Sequence, residues 1–418
     1  MNKDSLRISS IGFVIAVIGF AVAFQFVEPS PPKSITIATG SQSGAYFKFA
    51  GDYQKILAQE GIQLKILNTK GSVENIQLLN AGKVDVAFVQ GGVGNAQQDP
   101  NLVSLGSLCF EPLWVFVQKN LNVKRLNDLN GLKISAGNVG SGTWAVAQQL
   151  LAKNGINPSD KTILHLSSAK ATQALSSKAI DAAFFVTSPA SPLMAEMLKN
   201  ETIQLLSFER AGAYTNQLRY LSAVTLNQGV INLGRNIPEK NITLLAPAAT
   251  LVTHPDLHPA LQNLLIQATQ KTHANGSILA EPGLFPSAKY VDYPLSADAE
   301  RYLKNGPPFL QRYLPFWGAV LFDRLKVMLV PLLTLLIPLI KIFPPTYRWR
   351  VRSRIYRWYE ALSDIERRAK NASSDDHAKL VGELATIENE VKRLKVPLSY
   401  NDEVYNLRLH INLIQRTL

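Results

Sequence analysis

Two short Gly/Ser stretches carry the residue types that suit a small anion. The first, Gly40-Ser-Gln-Ser-Gly44, follows a short apolar segment and precedes a run with helical spacing, and the second is Gly140-Ser-Gly-Thr143. A turn that leads from a strand into a helix leaves backbone N–H groups unpaired, and seryl and threonyl hydroxyls add further donors. One such loop is equally well explained as a capped helix with a tight turn. The second loop favours a binding function for both.

The same loops lack the features of nucleotide-binding and hydrolytic sites. The first is not followed by the Lys-Ser/Thr pair of a P-loop, and the glycines from Gly137 to Gly142 stand in the wrong order for a dinucleotide fingerprint. No Gly-x-Ser-x-Gly elbow surrounds Ser41, Ser43 or Ser141, which argues against a hydrolase. The sequence therefore predicts a binding protein without catalytic residues and without a cofactor.

Composition and charge exclude further classes. The formal net charge is +12, but the densest basic cluster directly follows an apolar segment, which is typical of the cytoplasmic flank of a membrane span rather than of a nucleic-acid groove. This cluster consists of Arg348, Arg350, Arg352, Arg354 and Arg357. A single cysteine allows neither an internal disulfide nor a Cys-based zinc site, and the histidines show no metal-ligand spacing. We expect no metal and no nucleic acid.

The region from residue 34 to about residue 308 alternates strand-like and helix-like segments, which predicts an α/β fold with largely parallel sheets. The pattern restarts near residue 133, and both halves follow the plan strand, Gly/Ser turn, helix, strand, short helix, apolar strand. We expect two lobes, one formed by residues 34–120 with 220–310 and the other by residues 121–219. The crossovers are expected near residues 118–121 and 219–225, and the two Gly/Ser loops then face one cleft.

The N-terminal segment, residues 1–27, has two interpretations. Lys3 and Arg7 precede an uncharged apolar run from Ile8 to Val27, and its length of about 20 residues suffices to span a bilayer. Ala21-Val-Ala23 resembles the cleavage site of a signal peptide. The length favours an uncleaved transmembrane anchor, and either interpretation predicts export of the region after it. Residues 28–33 form a Pro-rich spacer.

A second apolar segment lies near the C-terminus. Its uncharged part, Val327–Ile340, is only 14 residues long and by length alone could be a buried helix, but flanking lysines and aromatic residues favour a transmembrane helix over residues 317–345. The arginine cluster beyond it places residues 346–418 in the cytoplasm, with residues 28–315 outside and both termini inside if the first span is not cleaved. Apolar spacing in two stretches, 355–365 and 380–394, predicts a tail of two helices. These segments make the lipid bilayer an expected partner.

Four motifs in order along the chain resemble one family of receptors. They are Ile37–Phe47, Thr69–Gln90, Leu126–Thr143 and Ala179–Val186. Together they look like the TAXI family of solute-binding receptors from tripartite (TRAP) transporters, over roughly residues 34–310. The second apolar segment followed by Tyr347-Arg-Trp-Arg350 resembles the membrane-tethered members of that family.

The resemblance implies a two-lobed type II periplasmic-binding-protein fold that closes on its ligand at a hinge, here flanked by two transmembrane helices and a C-terminal helical tail. It implies a small organic acid or amino acid as ligand, of the dicarboxylate or glutamate-like kind, and a TRAP permease as partner. Carried over position by position, the ligand-binding residues are Ser41, Ser43, Gly44, Tyr46, Ser72, Glu74, Asn75, Gln90, Ser141, Gly142, Thr143 and Phe185. Of these, Ser141, Gly142 and Thr143 would hold a ligand carboxylate at a helix N-terminus.

Two departures from the family pattern leave the ligand class open. Phe47 stands where members commonly have a second tyrosine, and Lys48 stands where they have proline. The helical tail also leaves an alternative to transport open, since a receptor that only delivers solute needs no such tail. In that alternative the protein is a sensor that binds its ligand outside and signals through residues 346–418.

Overall fold

The structure, a computed structural model, describes residues 14, 17–19, 21, 22, 24, 25, 29–42, 44–370, 372 and 374–417. The chain divides into two compact units, one of residues 30–320 and one that includes the described part of residues 321–417. The strands are β1 Ser34–Ala38, β2 Gln63–Leu67, β3 Val86–Gln90, β4 Val103–Phe110, β5 Leu113–Gln118, β6 Ile134–Ser135, β7 Ile163–Leu164, β8 Ala182–Val186, β9 Ile203–Leu205, β10 Leu221–Leu226 and β11 Ile242–Thr253.

The helices follow the same chain order. They are α1 Ala45–Gln59, α2 Ser72–Asn80, α3 Gly142–Lys153, α4 Ser168–Ser176, α5 Pro192–Met197, α6 Ala211–Gln217, α7 Pro259–His273, α8 Ala297–Asn305, α9 Phe316–Ala369, α10 Ser374–Lys392 and α11 Asn401–Thr417. The plan that the sequence predicts for both halves, strand, Gly/Ser turn, helix, strand, short helix, apolar strand, is confirmed.

The first half of the sheet has the strand order β2-β1-β3-β11-β4. Strands β1, β2 and β3 are parallel, and β11 runs antiparallel to both β3 and β4. Every residue of β3 is buried, because helices cover both faces of the parallel strands and favour continuous apolar runs. One face packs against α1 and α7 around Phe88, Leu57 and Leu261. We call this half lobe 1.

The second half repeats the plan with the order β7-β6-β8-β5. Strands β6, β7 and β8 are parallel, and β5 is antiparallel to β8. Strand β9 pairs with β5, and β10 pairs with β11. The two faces of this half have separate cores, around Phe184 on one side and Phe185 on the other. We call this half lobe 2. The shared orders β2-β1-β3 and β7-β6-β8 confirm the α/β fold with two similarly built lobes in this unit.

The chain passes between the lobes at two points that differ from the predicted ones. Strand β5 already belongs to lobe 2, so the first passage is the two-residue link Glu111-Pro112 rather than residues 118–121. Strand β10 also pairs within lobe 2, through Leu221 opposite Pro247. The return therefore lies inside β11, whose first part pairs with β10 and β5 and whose second part pairs with β3 and β4.

The two expected membrane spans, 1–27 and 317–345, receive no support. Among the described residues, no helix combines the length and the apolar character that crossing a bilayer requires. Most of residues 1–27 lie outside the described part of the chain, and residues 317–345 form part of α9.

The C-terminal unit has a core of its own, formed by the later turns of α9 with α10 and α11. The prediction of two helices is incomplete, because α11 adds a third. Its signal is the apolar spacing of Val404, Leu407, Ile411 and Ile414, which puts these residues on one buried face. An ion pair between Arg352 and Glu403 joins α9 to α11 at 2.9 Å.

Candidate functional site

The candidate site lies at the edge of lobe 1 where its strands end. The last residue of β3, Gln90, pairs with Ala249 of β11, and the last residue of β4, Phe110, pairs with Ala248. Strand β1 is parallel to β3, so the Gly/Ser loop after β1 reaches the same edge. In open α/β sheets ligands bind outside the carboxyl ends of the strands, where the strand order reverses. In lobe 1 that reversal falls between β1 and β3.

The first Gly/Ser loop leads into α1 through Gly44, whose N–H donates to the Ser41 carbonyl at 2.9 Å. Gly44 precedes the helix in an extended conformation and supplies no side-chain cap. Tyr46 lies in the first turn, and its ring stacks on Phe88 with centroids 5.0 Å apart and planes at 14°. Ser43, a predicted ligand residue, lies outside the described residues.

The hydroxyl of Tyr46 donates to Glu111 Oε2 at 2.5 Å. Glu111 is buried in the link between β4 and β5, and burial raises its pKa to about 7, although the Tyr46 hydrogen bond lowers it. Glu111 is not among the ligand-binding residues that the resemblance to TAXI receptors predicts. Its signal in the sequence is a lone acidic residue between two long apolar strands, a position where an unpaired charge is costly.

Ser72 and Gln90 meet behind Tyr46. The backbone N–H of Gln90 donates to Ser72 Oγ at 2.9 Å, which joins the start of α2 to the end of β3. The side-chain amide of Gln90 donates across to the Gly142 carbonyl of lobe 2 at 2.9 Å. This hydrogen bond connects the edges of the two lobes and brings two predicted site residues together.

The second Gly/Ser loop begins α3 in the expected way. Ser141 is its N-cap residue, since Ser141 Oγ accepts from the Trp144 N–H at 3.2 Å. Thr143 Oγ1 accepts from the N–H of Val186 at 3.1 Å, which ties α3 to the end of β8. A Cβ on Gly142 would lie 2.1 Å from Gln90 Oε1. A larger residue at this position would therefore displace the Gln90 amide from its hydrogen bond with the Gly142 carbonyl.

Three predicted residues lie apart from this group. The Asn75 amide donates to the carbonyls of Thr39 and Phe88 at 2.6 and 2.7 Å, and the residue is fully buried. Glu74 accepts from the Lys70 N–H at 2.7 Å in an exposed turn. Phe185 packs edge-on against Phe116 in the core of lobe 2. The contacts of these three residues stabilise loops and core rather than the meeting point of the lobes.

A cavity of about 450 Å³ adjoins the contact between the lobes, within the size range of small-molecule sites. Its lining comes from α2, the loop after β3, α3 and two later segments: Val73, Gly92, Val93, Gly94, Asn95, Gln98, Ala145, Gln148, Gln149, Tyr220 and Asp292. The Gln149 amide donates to the Gly92 carbonyl at 3.2 Å, a second hydrogen bond between the lobes. The Gly92 N–H donates to Asp292 at 2.6 Å, and burial raises the pKa of Asp292.

The charges of this region are acidic. Asp292 lines the cavity and Glu111 lies at the passage between the lobes, and no lysine, arginine or histidine is among the described residues that line the cavity. Donors for an anion come instead from helix starts, above all that of α3. The site thus combines neutral donors with buried carboxyl groups.

Replacing Ser141 by alanine removes the N-cap of α3 and is expected to cost about 1 kcal/mol of unfolding free energy. Thermal and urea unfolding of the full chain measure this loss. Ser296→Ala is the comparison, because Ser296 caps α8 through the Ala299 N–H at 3.1 Å and also donates to the buried Gln262 Oε1 at 2.6 Å. Ser296→Ala should therefore cost more than Ser141→Ala, and a Ser141→Ala protein as stable as the parent would contradict the capping role.

The sequence of the chain matches the model of the NMT1-like family over residues 37–304, more than half of its length. The chain belongs to the NMT1-like family. The matched region of this NMT1-like protein contains both Gly/Ser loops, Gln90 and Glu111. Membership in the narrower TAXI family stays a prediction.

Among solved structures, the NMT1-like chain is similar to the periplasmic aliphatic sulphonate binding protein SsuA from Escherichia coli, with 16% identity over 58% of this chain and 73% of that one and a TM-score of 0.40. An ancestral arginine-binding protein bound to arginine shows 14% identity, coverage of 60% and 96%, and a TM-score of 0.39. The GluR0 ligand-binding core from Nostoc punctiforme in complex with L-glutamate shows 17% identity, coverage of 58% and 95%, and a TM-score of 0.38. At these scores the likeness carries no argument about the ligand.

Proposed function

We propose that this NMT1-like protein is an extracytoplasmic solute receptor that binds a small organic acid or amino acid between its two lobes. It works by binding and lobe closure, without a chemical step. The observation that carries the proposal is the meeting of three helix starts at one contact between the lobes. Tyr46 lies in the first turn of α1, Ser72 begins α2, and Gly142 at the start of α3 accepts the hydrogen bond from Gln90.

The start of α3 supplies the binding site for a ligand carboxylate in this proposal. Backbone N–H groups at a helix N-terminus attract anions, and the effect is strongest within the first turn. The resemblance to TAXI receptors supports delivery of the solute to a TRAP-type permease, and it supports a ligand with one or two carboxylates. Attachment to the membrane belongs to the same proposal, supported by the apolar run from Ile8 to Val27 and by the arginines after residue 347.

Thermal unfolding of the full chain against a panel of organic acids and amino acids tests the proposal. A ligand at about 100 times its Kd stabilises the folded state by about 2.7 kcal/mol if it binds that state alone. For a unit of this size the melting temperature should then rise by about 5–10 °C. A panel in which no acid and no amino acid shifts the melt would contradict the proposed function.

The affinity of the Gln90→Ala variant for the bound solute tests the role of the contact between the lobes. The substitution removes one hydrogen bond between the lobes, worth about 0.5–1.5 kcal/mol, so the affinity for the bound solute should fall about two- to tenfold. Gln77→Ala is the matched control, since Gln77 is an exposed residue of α2. Equal ligand affinities of the two variants would contradict a role of Gln90 in ligand binding.

The C-terminal unit favours a second candidate function, a ligand sensor. Its helices α10 and α11 have their own core with α9 and add nothing to the lobes' sheet. Cross-linking in membranes followed by purification separates the two candidates. Recovery of a multispan permease supports transport, whereas recovery of a signalling enzyme bound through residues 346–417 supports sensing.

A further inference from the structure

We propose that the ligand carries a cationic amino group in addition to its carboxylate, and that Glu111 binds this amino group. The inference rests on the proposed function and narrows it, because it selects a zwitterionic amino acid over a dicarboxylate or an oxo acid. It also adds a specificity-determining residue to the site.

Glu111 lies at the edge of lobe 1 where the chain crosses to lobe 2. Its backbone N–H donates to the Pro247 carbonyl at 2.9 Å, and its neighbour Phe110 pairs with Ala248. Gln90 pairs with the next residue of β11, Ala249. Glu111 and Gln90 therefore flank the same strand at the same edge of lobe 1, and Glu111 lies where the chain crosses to lobe 2.

A series of hydrogen bonds leads to the Glu111 carboxyl group and ends on one of its two oxygens. The Gln90 N–H donates to Ser72 Oγ, a hydrogen bond with Ser72 lowers the pKa of Tyr46, and the Tyr46 hydroxyl donates to Glu111 Oε2. This chain of donors ends on one carboxylate oxygen. Within the described part of the chain, the Tyr46 hydroxyl is the one group shown to donate to the Glu111 carboxyl. The second oxygen leaves an acceptor for a ligand.

The charge of the Glu111 carboxylate favours a cationic group on the ligand. The titratable groups shown to interact with Glu111 are Tyr46 on α1 and the Cys109 thiol on β4, and burial raises the pKa of both, so both are neutral at physiological pH. A buried carboxylate without a cationic partner is costly, so burial favours a proton on Glu111 and raises its pKa to about 7. A ligand ammonium supplies the missing positive charge, whereas a second ligand carboxylate adds another negative charge.

The lysines that lie two residues from Tyr46 and from Ser72 in the sequence do not change this balance. Lys48 and Lys70, which follow the first Gly/Ser loop and precede α2, are both exposed. The carboxylate of the ligand then lies at the start of α3 in lobe 2, and its ammonium lies at Glu111. Such a ligand spans the contact between the lobes with charges that match both ends.

Calorimetric titration of the full chain with matched pairs tests the inference: L-glutamate and 2-oxoglutarate, L-aspartate and oxaloacetate, L-leucine and 4-methyl-2-oxopentanoate. At pH 8 we expect at least one amino acid to bind about 100-fold more tightly than its oxo analogue. Because the bound cation requires an ionised Glu111, the affinity for the amino acid should fall about tenfold for each pH unit below 7. The ligand should displace about one proton at pH 6.

Glu111→Gln should reduce the preference for the amino acid to less than about tenfold and remove the pH dependence, with the melting temperature as a check of folding. Tyr46→Phe keeps the ring and removes a donor that lowers the Glu111 pKa, so the midpoint of the pH dependence should move upward. Binding of the oxo acids at least as tightly as the amino acids, or an unchanged preference in Glu111→Gln, overturns the inference and leaves the proposed function standing. If no member of any pair and no compound of the wider panel binds, both the inference and the proposed function are wrong.

Discussion

Replacing Phe88 by alanine will lower the unfolding free energy by about 3–5 kcal/mol, in the range for truncation of a fully buried phenylalanine. Phe88 has no exposed surface and lies in the middle of β3. The rings of Tyr46, Phe49 and Tyr53 pack around it with centroids 5.0, 6.4 and 5.7 Å away. Alanine leaves a cavity under all three rings, and the melting temperature should fall by about 6–20 °C.

The same change will weaken ligand binding, because the Tyr46 ring loses the surface on which it stacks. Phe184→Ala is the matched control, since Phe184 is equally buried but lies in the core of lobe 2. Both variants should lose similar stability, and Phe88→Ala should show the larger loss of affinity. Equal affinities in the two variants would show that Tyr46 keeps its position without Phe88.

Replacing Gly92 by alanine will cost about 2–5 kcal/mol. The backbone of Gly92 is left-handed, with φ +81°, which costs a residue with a side chain about 1–2 kcal/mol. A Cβ there would also lie 2.4 Å from the ring of Tyr220, and such overpacking costs about 1–3 kcal/mol. Gly92 accepts a hydrogen bond from Gln149 of lobe 2, so the damage falls on the contact between the lobes.

Two further variants separate the strain from the collision. Gly82→Ala introduces the same left-handed strain, with φ +62° and no atom within 4 Å of the new Cβ, so it should cost only about 1–2 kcal/mol. In a Tyr220→Ala background the cost of Gly92→Ala should fall to that value. Thermal and urea unfolding measure the free energy of unfolding of Gly92→Ala, Gly82→Ala, Tyr220→Ala and the double variant of Gly92 and Tyr220. A Gly92→Ala cost that does not depend on Tyr220 would mean that the ring moves aside freely.

The sequence predicts the elements of the lobes well because their apolar residues are strongly periodic or continuous. Strand β3 is buried on both faces and reads as an apolar run, and α1 follows a Gly/Ser turn that marks its start. The partners of a strand are not visible in such patterns. The passage between the lobes therefore lies at Glu111-Pro112, earlier than predicted, because β5 pairs with β8.

The site is predictable where backbone geometry determines it and less so where packing does. Ser141 and Thr143 lie at a helix start, as a Gly/Ser turn predicts, and Gln90 lies at a strand end. Phe184 and Phe185 point to opposite faces of β8, but helices and strands cover both faces, so neither position opens to a cleft. The burial of Asn75 likewise follows from carbonyls of two other segments, which no local pattern reveals.

Under the proposed function, the continuity of β11 through both lobes sets the order in which a solute meets its contacts. A rotation that separates the lobes must bend the chain where it crosses between them, at Glu111-Pro112 and near Pro247 in β11, and displacement is smallest close to these crossings. Glu111 lies at the first crossing, whereas Gly142 lies at the start of α3 in lobe 2. In the proposed receptor a solute therefore engages Glu111 and Tyr46 first, and the start of α3 reaches it last, as the lobes close.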